Sequence, residues 1–564
     1  MQKQLIECVP NISEGRNTEK INTIAHIVET VEGVKLLDID PGKATNRTVI
    51  TFVGEPEQVI EAAFQLIKKA AELIDMRYQK GEHPRFGATD VCPLVPISGI
   101  TLEETARYAH KLGERVGKEL GIPGYFYETA ARENKRKNLA NCRAGEYEGL
   151  PKKLIAPEWK PDFGPAEFND SVSKTGAIAI SARDFLIAYN INLNTTSTRR
   201  ANAIAFDMRE AGRIKREGNP ITGKKVIDNN GEPVRIPGKL KAVKGIGWYI
   251  EEYGIAQISY NLTNISITPM HIAFDETAKI AEERGLRVTG SELVGLIPLK
   301  AMLAAADYFL EKQQRSLGIS EKEKIKIAVK SLGLDDLKPF NPQEKIIEYV
   351  LNKDASKKLI DLSLSDFADV TASESVAPGG GSIAAYTGAL GAALGAMVAN
   401  LSSHKAGWDD KWKYYSDWAE KGQVFKTKLL FLVDEDTNAF GKIIDGFRMP
   451  KSTTEEKELR RQAIEDATKY ATEIPFQVME TAFKSMEVMQ TMVKEGLPSS
   501  LSDAAVGVLC ARTAVIGAYF NVKINAKDLK DRNFAKEIIA KADKIYNETL
   551  RVEKEVIEFV NSKM

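Results

Sequence analysis

Histidine and cysteine are scarce in this sequence, at five and four residues among 564. The cysteines (Cys8, Cys92, Cys142, Cys510) lie far apart with no C-x-x-C pair. That spacing excludes a sequence-visible zinc ribbon or thioredoxin motif and fits a reducing compartment. An excess of one charge is also lacking. Basic and acidic side chains balance at 78 each, so the chain has no global attraction for nucleic acid or acidic membranes. MQKQLIECVPNISEG at the N-terminus has no apolar core behind its lysine, so no signal peptide is expected in it. Low-complexity tracts are missing as well. The expectation is a cytoplasmic, globular protein without a metal, a nucleic-acid partner or a membrane. At this length two to four domains are expected.

One stretch tests that expectation. GSIAAYTGALGAALGAMVANL (381–401) is uncharged and long enough to cross a bilayer. It is built from Gly, Ala and Ser rather than Leu, Ile and Phe, so its transfer into lipid would be weakly driven. Small residues at 384, 388, 391 and 395 let helix backbones approach closely. A tightly packed helix inside a bundle is the better reading.

Residues 1 to about 360 alternate strand-like and helix-like segments. VKLLDID (34–40), RTVITFVG (47–54), DVCPLVPI (90–97), KTGAIAISARDFLIAYNINLN and GIAQISYNLTNISITPM read as strands. Helices are predicted after residue 54, over 101–121 behind a Thr cap with Glu in the first turn, near 198–217 and over 271–285. The pattern is α/β. Between residues 209 and 245, VIDNNGEPVRI carries a hairpin signal. That region has ten basic side chains against four acidic ones. It reads as a solvated ribbon or as a patch for a polyanionic ligand tail. After a linker-like stretch, beta-branched alternation disappears from Ser363 onward and the rest reads as an all-α bundle.

Three places could carry chemistry. His83, in KGEHPRFGATDVCPLVPI, precedes Pro84, which holds the His83 backbone extended. Glu82, Arg85 and Asp90 supply charge, and Pro84, Gly87 and Pro93 stiffen the chain. An imidazole on such a loop suits proton transfer near neutral pH; a surface histidine is the alternative. His26, His110, His271 and His404 sit in or beside predicted helices and read as structural. In KLLFLVDEDTNAFGKIIDGF, an apolar stripe of Leu429, Leu432/Val433, Phe440, Ile443/Ile444 and Phe447 has a gap filled by Asp436, with Asp434 and Glu435 expected towards solvent. A carboxyl on a buried face has a raised pKa unless it is paired; a buried Asp satisfied by neighbouring groups is the alternative. VAPGGGSIAAYTG puts three glycines before Ser382 at a helix start, without the G-K-[ST] of a P-loop. It permits a close ligand or close helix packing. Ser502-Asp503 and Asn521/Asn525 place polar groups among apolar ones, as hydrogen bonders of the fold or as ligand contacts.

ECVPNISEGRN (7–17), LLDID, TNRTVITFVG, KGEHPRFGATDVCPLVPI, RAGEYEGLPKKL (143–154), PDFGP (161–165), KGIGWYIEE (244–252) and LVGLIPLKA (293–301) resemble the transferase half of the formiminotransferase-cyclodeaminase family. VAPGGGSIAA, LVDEDTNAF and GAYFNVKIN resemble its cyclodeaminase half. The resemblance covers nearly the whole chain and implies two α/β subdomains, 1–184 and 185–338, a linker, 339–362, and a helical domain, 363–564, that self-associates as a homodimer or higher oligomer. It implies transfer of a formimino group from N-formimino-L-glutamate to tetrahydrofolate, then ring closure to 5,10-methenyltetrahydrofolate with loss of ammonia. By the family pattern His83 is the transferase acid/base and Asp436 the cyclodeaminase acid. Folate contacts are implied at Gly164, Pro165, Phe168 and Gly176, where a few extra residues before Gly176 interrupt the match. Asp40, Arg85, Asp503 and Asn521 are further motif-based ligand contacts. Polyglutamylated tetrahydrofolate is the implied preferred substrate, its anionic tail tethering the intermediate between sites, with no metal. A formyl donor, cyclohydrolase activity on the same helical fold, or a non-enzymatic folate-binding scaffold are the alternatives.

Overall fold

The computed structural model describes residues 4–81, 83–218, 222–229, 231–352 and 358–564. Glu82, residues 219–221, Asn230 and the expected linker residues 353–357 lie outside the described residues. The chain forms two compact units, Met1–Ala305 with Ala328–Asp354, and Ala306–Ile327 with Ala355–Met564.

The first unit contains two large sheets. Strands β1 (Leu5–Cys8), β2 (Asn11–Ile12), β3 (Lys35–Gly42), β4 (Arg47–Gly54), β5 (Thr89–Ser98), β6 (Gly124–Glu128) and β7 (Ile178–Ala182) make the first. β1 and β2 share one position between β4 and β5, broken at Val9–Pro10, because proline has no N–H for a ladder. β7 pairs in parallel with β5 and β6, and the other pairings are antiparallel. Alternation along each strand sends Ile6, Cys8, Ile50, Phe52, Cys92, Leu94, Phe126 and Ile180 into the core. The helices Pro56–Leu73 and Leu102–Arg115 pack on this face. The second begins with the expected cap: Thr101 accepts from the Glu104 N–H, and Glu104 accepts in return.

The second large sheet contains β8 (Ile187–Leu193), β11 (Val243–Ile250), β12 (Ile255–Leu262) and β13 (Val288–Val294) in the order β11–β12–β8–β13, all antiparallel. Tyr189, Ile191, Ile258 and Tyr260 are fully buried, and Tyr260 bonds Thr277 of the Met270–Glu283 helix at 3.0 Å. The alternate positions, Asn190, Asn192, Gln257, Ser259 and Asn261, are polar and point to the other face. The helix expected over 198–217 ends at Met208. Beyond it β9 (Arg213–Ile214) pairs with β10 (Arg235–Ile236), and Ile227 bridges Pro233, so the inserted segment is a ribbon. The opening of the region read as a linker is folded: Pro342–Lys345 and Ile347–Asn352 are helical, and Ile346 bridges Ile297.

The second unit is a bundle built on helices Gly380–Ser403, Trp412–Arg448, Thr454–Glu495, Leu501–Asp528 and Arg532–Asn561. The Gly/Ala helix lies among the others because its neighbours come too close for larger side chains. A Cβ on Gly391 would sit 2.7 Å from the Gly507 carbonyl, and one on Gly388 3.0 Å from the Ala514 Cβ. This helix and Pro498–Asp528 are long and apolar enough to cross a membrane, yet 61% and 44% of their most apolar windows are buried within the fold.

Candidate active sites

The polar faces of the two sheets in the first unit line one cavity of about 680 Å³, within the size range of small-molecule sites. Six Lys/Arg and four Asp/Glu side chains border it, together with His83, Tyr127, Trp248 and Tyr253. The second sheet contributes a pre-formed polar network. Gln257 donates to Asn192 at 2.9 Å and to Glu292 at 3.3 Å, and Tyr253 donates to the other Glu292 oxygen at 3.0 Å.

His83 sits half-buried on the wall of this cleft. Its Nδ1–H donates to the Pro84 carbonyl at 2.7 Å, which fixes the tautomer and leaves the Nε2 lone pair free to take a proton. Burial, with the nearby Arg47 and Arg143 guanidinia, lowers its pKa to about 3, and Asp90 only partly offsets this. At neutral pH the ring is a neutral imidazole. Arg47 and Arg143 both donate to Asp90 Oδ2. Burial pushes the Asp90 carboxyl up, but the two guanidinia more than offset it and hold it below the usual range. This buried triad has a net positive charge beside a neutral base.

The bundle places Asp436 against the N-terminus of the Gly380–Ser403 helix. A Cβ on Gly381 would collide with the Asp436 carboxyl, so the glycines before Ser382 make room for it. Burial raises the Asp436 pKa above the ordinary carboxyl value, and bonds from the Ser382 hydroxyl and N–H offset part of the rise. The hydroxyl has one proton and faces two acceptors, the Val433 carbonyl at 2.9 Å and Asp436 Oδ2 at 3.2 Å. Asn521 flanks the same turn, 3.7 Å from where a Gly380 Cβ would stand.

Of the other anticipated residues, Asp40 lines the cleft and accepts from the Gly295 N–H at 2.9 Å. Arg85 instead pairs with Glu148 at 2.6 Å and donates to the Gln79 carbonyl. Gly164, Pro165, Phe168 and Gly176 are not among the cleft-lining residues. Gly176 bridges Gly87, shortly after His83, and the Phe168 ring meets Tyr147, whereas Gly164 packs against Ile122 and Pro123. Gly164 and Gly176 have φ of +75° and +69°, and a Cβ would strike the Ile122 and Phe86 carbonyls respectively. Backbone geometry is thus a sufficient reason for both glycines. Asp503 precedes Asn521 by eighteen residues on one helix, about 27 Å along its axis. Asn525 donates to the Ala471 carbonyl at 2.7 Å and is structural.

Two expectations around Asp436 are corrected. Asp434 and Glu435 do not simply face water: Asp434 accepts from the Leu359 N–H at 2.7 Å, and Glu435 accepts from the Tyr470 hydroxyl. The apolar stripe does not continue inward past Asp436 either. Phe440 and Phe447 are 46% and 57% exposed, and Ala439 and Gly446 take the buried positions, because the neighbouring helix approaches too closely for larger groups. The residues that sequence reasoning missed are Arg47, Arg143, Glu7 and the Asn190/Asn192/Gln257 face. For Arg47, Glu7 and the amides the signal was a charged or amide side chain in an otherwise apolar strand, whereas Arg143 ends the short helix Leu139–Arg143 and carried no such signal.

Fold and sites together define a two-module chain, an α/β cleft with a half-buried imidazole and a helical bundle with a half-buried carboxyl. The formiminotransferase domain, N-terminal subdomain, matches residues 5–183, the formiminotransferase domain residues 188–352, and formiminotransferase-cyclodeaminase residues 363–544. The chain is 44% identical to formimidoyltransferase-cyclodeaminase of Gallus gallus over 95% of its own length and 94% of that protein. Its first part is 38% identical to glutamate formimidoyltransferase of Streptococcus pyogenes serotype M1, over 55% of this chain and 94% of the relative. A further match, to methenyltetrahydrofolate cyclohydrolase of Methylorubrum extorquens, is 32% identical over 36% of this chain and 97% of the relative. The chain belongs to the formiminotransferase-cyclodeaminase family.

Proposed function

We propose that this protein moves a formimino group from N-formimino-L-glutamate to N5 of tetrahydrofolate and then closes the product to 5,10-methenyltetrahydrofolate with release of ammonia. The observation that carries the first step is the neutral His83 beside the cationic Arg47–Asp90–Arg143 triad. The triad attracts the carboxylates of formiminoglutamate. Their negative charge offsets the guanidinia and lifts the His83 pKa towards the working pH. Nε2 then takes the proton from N5 as it attacks the formimino carbon, and returns it to the departing glutamate nitrogen as that C–N bond breaks. The rigid loop holds one imidazole within reach of both nitrogens.

In the bundle, N10 attacks the carbon of the protonated formimino group (=NH2+), and Asp436 gives its proton to the resulting amine, which leaves as ammonia. The carboxylate recovers a proton from N10, and the positive charge stays on the methenyl product. The second family match runs past the expected border at 338/339 to residue 352, whereas module borders at 184/185 and 362/363 are part of this reading, supported by the positions of the family matches. So is self-association through the bundle, supported by the exposed Phe431, Phe440, Phe447, Phe520 and Ile524. A cytoplasmic location is supported by four free cysteines.

The test is purified protein with formiminoglutamate and tetrahydrofolate. Glutamate and ammonia release with methenyl absorbance supports the reading. Turnover with N-formylglutamate alone would replace it with a formyl transfer, and hydrolysis of methenyltetrahydrofolate without ammonia release would replace the second step.

A further inference from the structure

Four acidic side chains line the cleft, and three are accounted for. Glu292 accepts from Asn190, Gln257 and Tyr253. Asp40 accepts from the Gly295 N–H and lies 3.9 Å from Lys345. Glu252 is exposed. Glu7 is different: it is 4% exposed, it lines the cavity, and among the described residues no group hydrogen-bonds its carboxyl. Burial raises its pKa to about 7, with Arg183 lowering and Glu348 raising it further. A largely buried carboxyl that opens onto the cavity, with only the Arg183 charge to attract it, suits a ligand that donates hydrogen bonds to it.

Position narrows what that ligand offers. Glu7 stands opposite Val53 and Val95. The reacting end lies further along the same strands, where Arg47 donates to Asn11 at 3.0 Å and pairs with Asp90. Glu7 and Asn11 are four residues apart on one strand line, about 13 Å. The formimino group must lie at the His83 end, and the carboxylates of both substrates would be repelled by Glu7. The remaining donor-rich part of either substrate is the pyrimidine edge of the pterin, where N3–H and the 2-amino group point the same way. That edge lies across the fused rings from N5, so a pterin with N5 at His83 directs it along the cleft. Two parallel N–H donors match the two oxygens of one carboxylate.

We propose that Glu7 is the residue that reads the 2-amino, N3–H edge of the folate pterin and thereby sets which face of the ring presents N5 to His83. This rests on the folate reading of the cleft given above. It is tested on the full chain by glutamate release, comparing kcat/KM for tetrahydrofolate with that for its 2-desamino-2-methyl analogue.

In the unsubstituted protein the analogue is expected to be about 10–100-fold poorer, chiefly through KM. In Glu7→Gln the ratio is expected to approach one, because tetrahydrofolate alone loses its partner. Glu7→Asp, which keeps the charge on a shorter arm, is expected to give an intermediate ratio and serves the same comparison if the Gln variant does not fold. Equal use of both pterins by the unsubstituted protein, or a ratio unchanged in the variants, would overturn the assignment. Absence of glutamate release with any folate would instead overturn the reading of the cleft itself.

Discussion

His83 in the α/β cleft and Asp436 in the bundle are placed by different means and altered by one cause. The imidazole sits on a loop that Pro84 keeps extended, and the carboxyl sits on a long helix facing a glycine turn. In both, burial is the largest influence and it disfavours charge. For a histidine the uncharged form is a base, and for an aspartate it is an acid. The same physical push thus prepares a proton acceptor in one unit and a proton donor in the other. Their charged surroundings differ accordingly: two guanidinia reinforce burial at His83, whereas Ser382 opposes it at Asp436.

The comparison is broken most severely by removing each group in turn. His83→Ala should lower glutamate release by about 10²–10⁴-fold and leave cyclisation of supplied 5-formimidoyltetrahydrofolate intact; Asp436→Ala should do the reverse. Loss of both steps in either variant would mean that the units are not chemically independent. Arg143→Met should raise KM for formiminoglutamate by about 10–100-fold. Because that guanidinium lowers the His83 pKa, the acid limb of transfer should also move to higher pH. An unchanged limb would remove Arg143 from the electrostatics of the base.

Gly381→Ala, which puts a methyl into the Asp436 carboxyl, should slow cyclisation roughly tenfold or more without touching transfer. Ser382→Ala is the finest probe, with an expected loss of about 2–10-fold. The signs of the two pH limbs are opposite. His83 has a lowered pKa and is lost as a base only when pH falls, whereas Asp436 has a raised one and is lost as an acid when pH rises. Since Ser382 pulls the Asp436 pKa down, its removal should carry the alkaline limb of cyclisation upward. A downward shift would contradict the assignment of Asp436 as the acid.

Much of this was legible before any coordinates. Alternation in RTVITFVG and DVCPLVPI and the Thr101 cap each encode local geometry, and the strands and helix formed where expected. His83 was legible because Pro84 follows it. What could not be read is set by pairing across the chain. β7 joins β5 in parallel some eighty residues on, and only that assembly gathers Arg47, Asp90 and Arg143 around one imidazole. Glu7 gave no signal of its own in the sequence, because its place on the cavity wall depends on the facing of the two sheets. The Asp436 stripe was misread at Phe440 and Phe447 because helix spacing gives a face, whereas the close approach of the next helix decides which residues on it are covered.

The central claim is that burial keeps His83 neutral at neutral pH and raises the Asp436 carboxyl above the ordinary aspartate value. It is met most directly by NMR of the full chain carrying nitrogen-labelled histidine and carboxyl-labelled aspartate, followed over about pH 4–8 and assigned with His83→Ala and Asp436→Ala. The account predicts a His83 ring that stays neutral and protonated on Nδ1 alone across that range, and an Asp436 carboxyl whose titration lies above that of the other aspartates. A His83 ring that gains its second proton near the ordinary histidine value, or an Asp436 already ionised at the acid end, would contradict it.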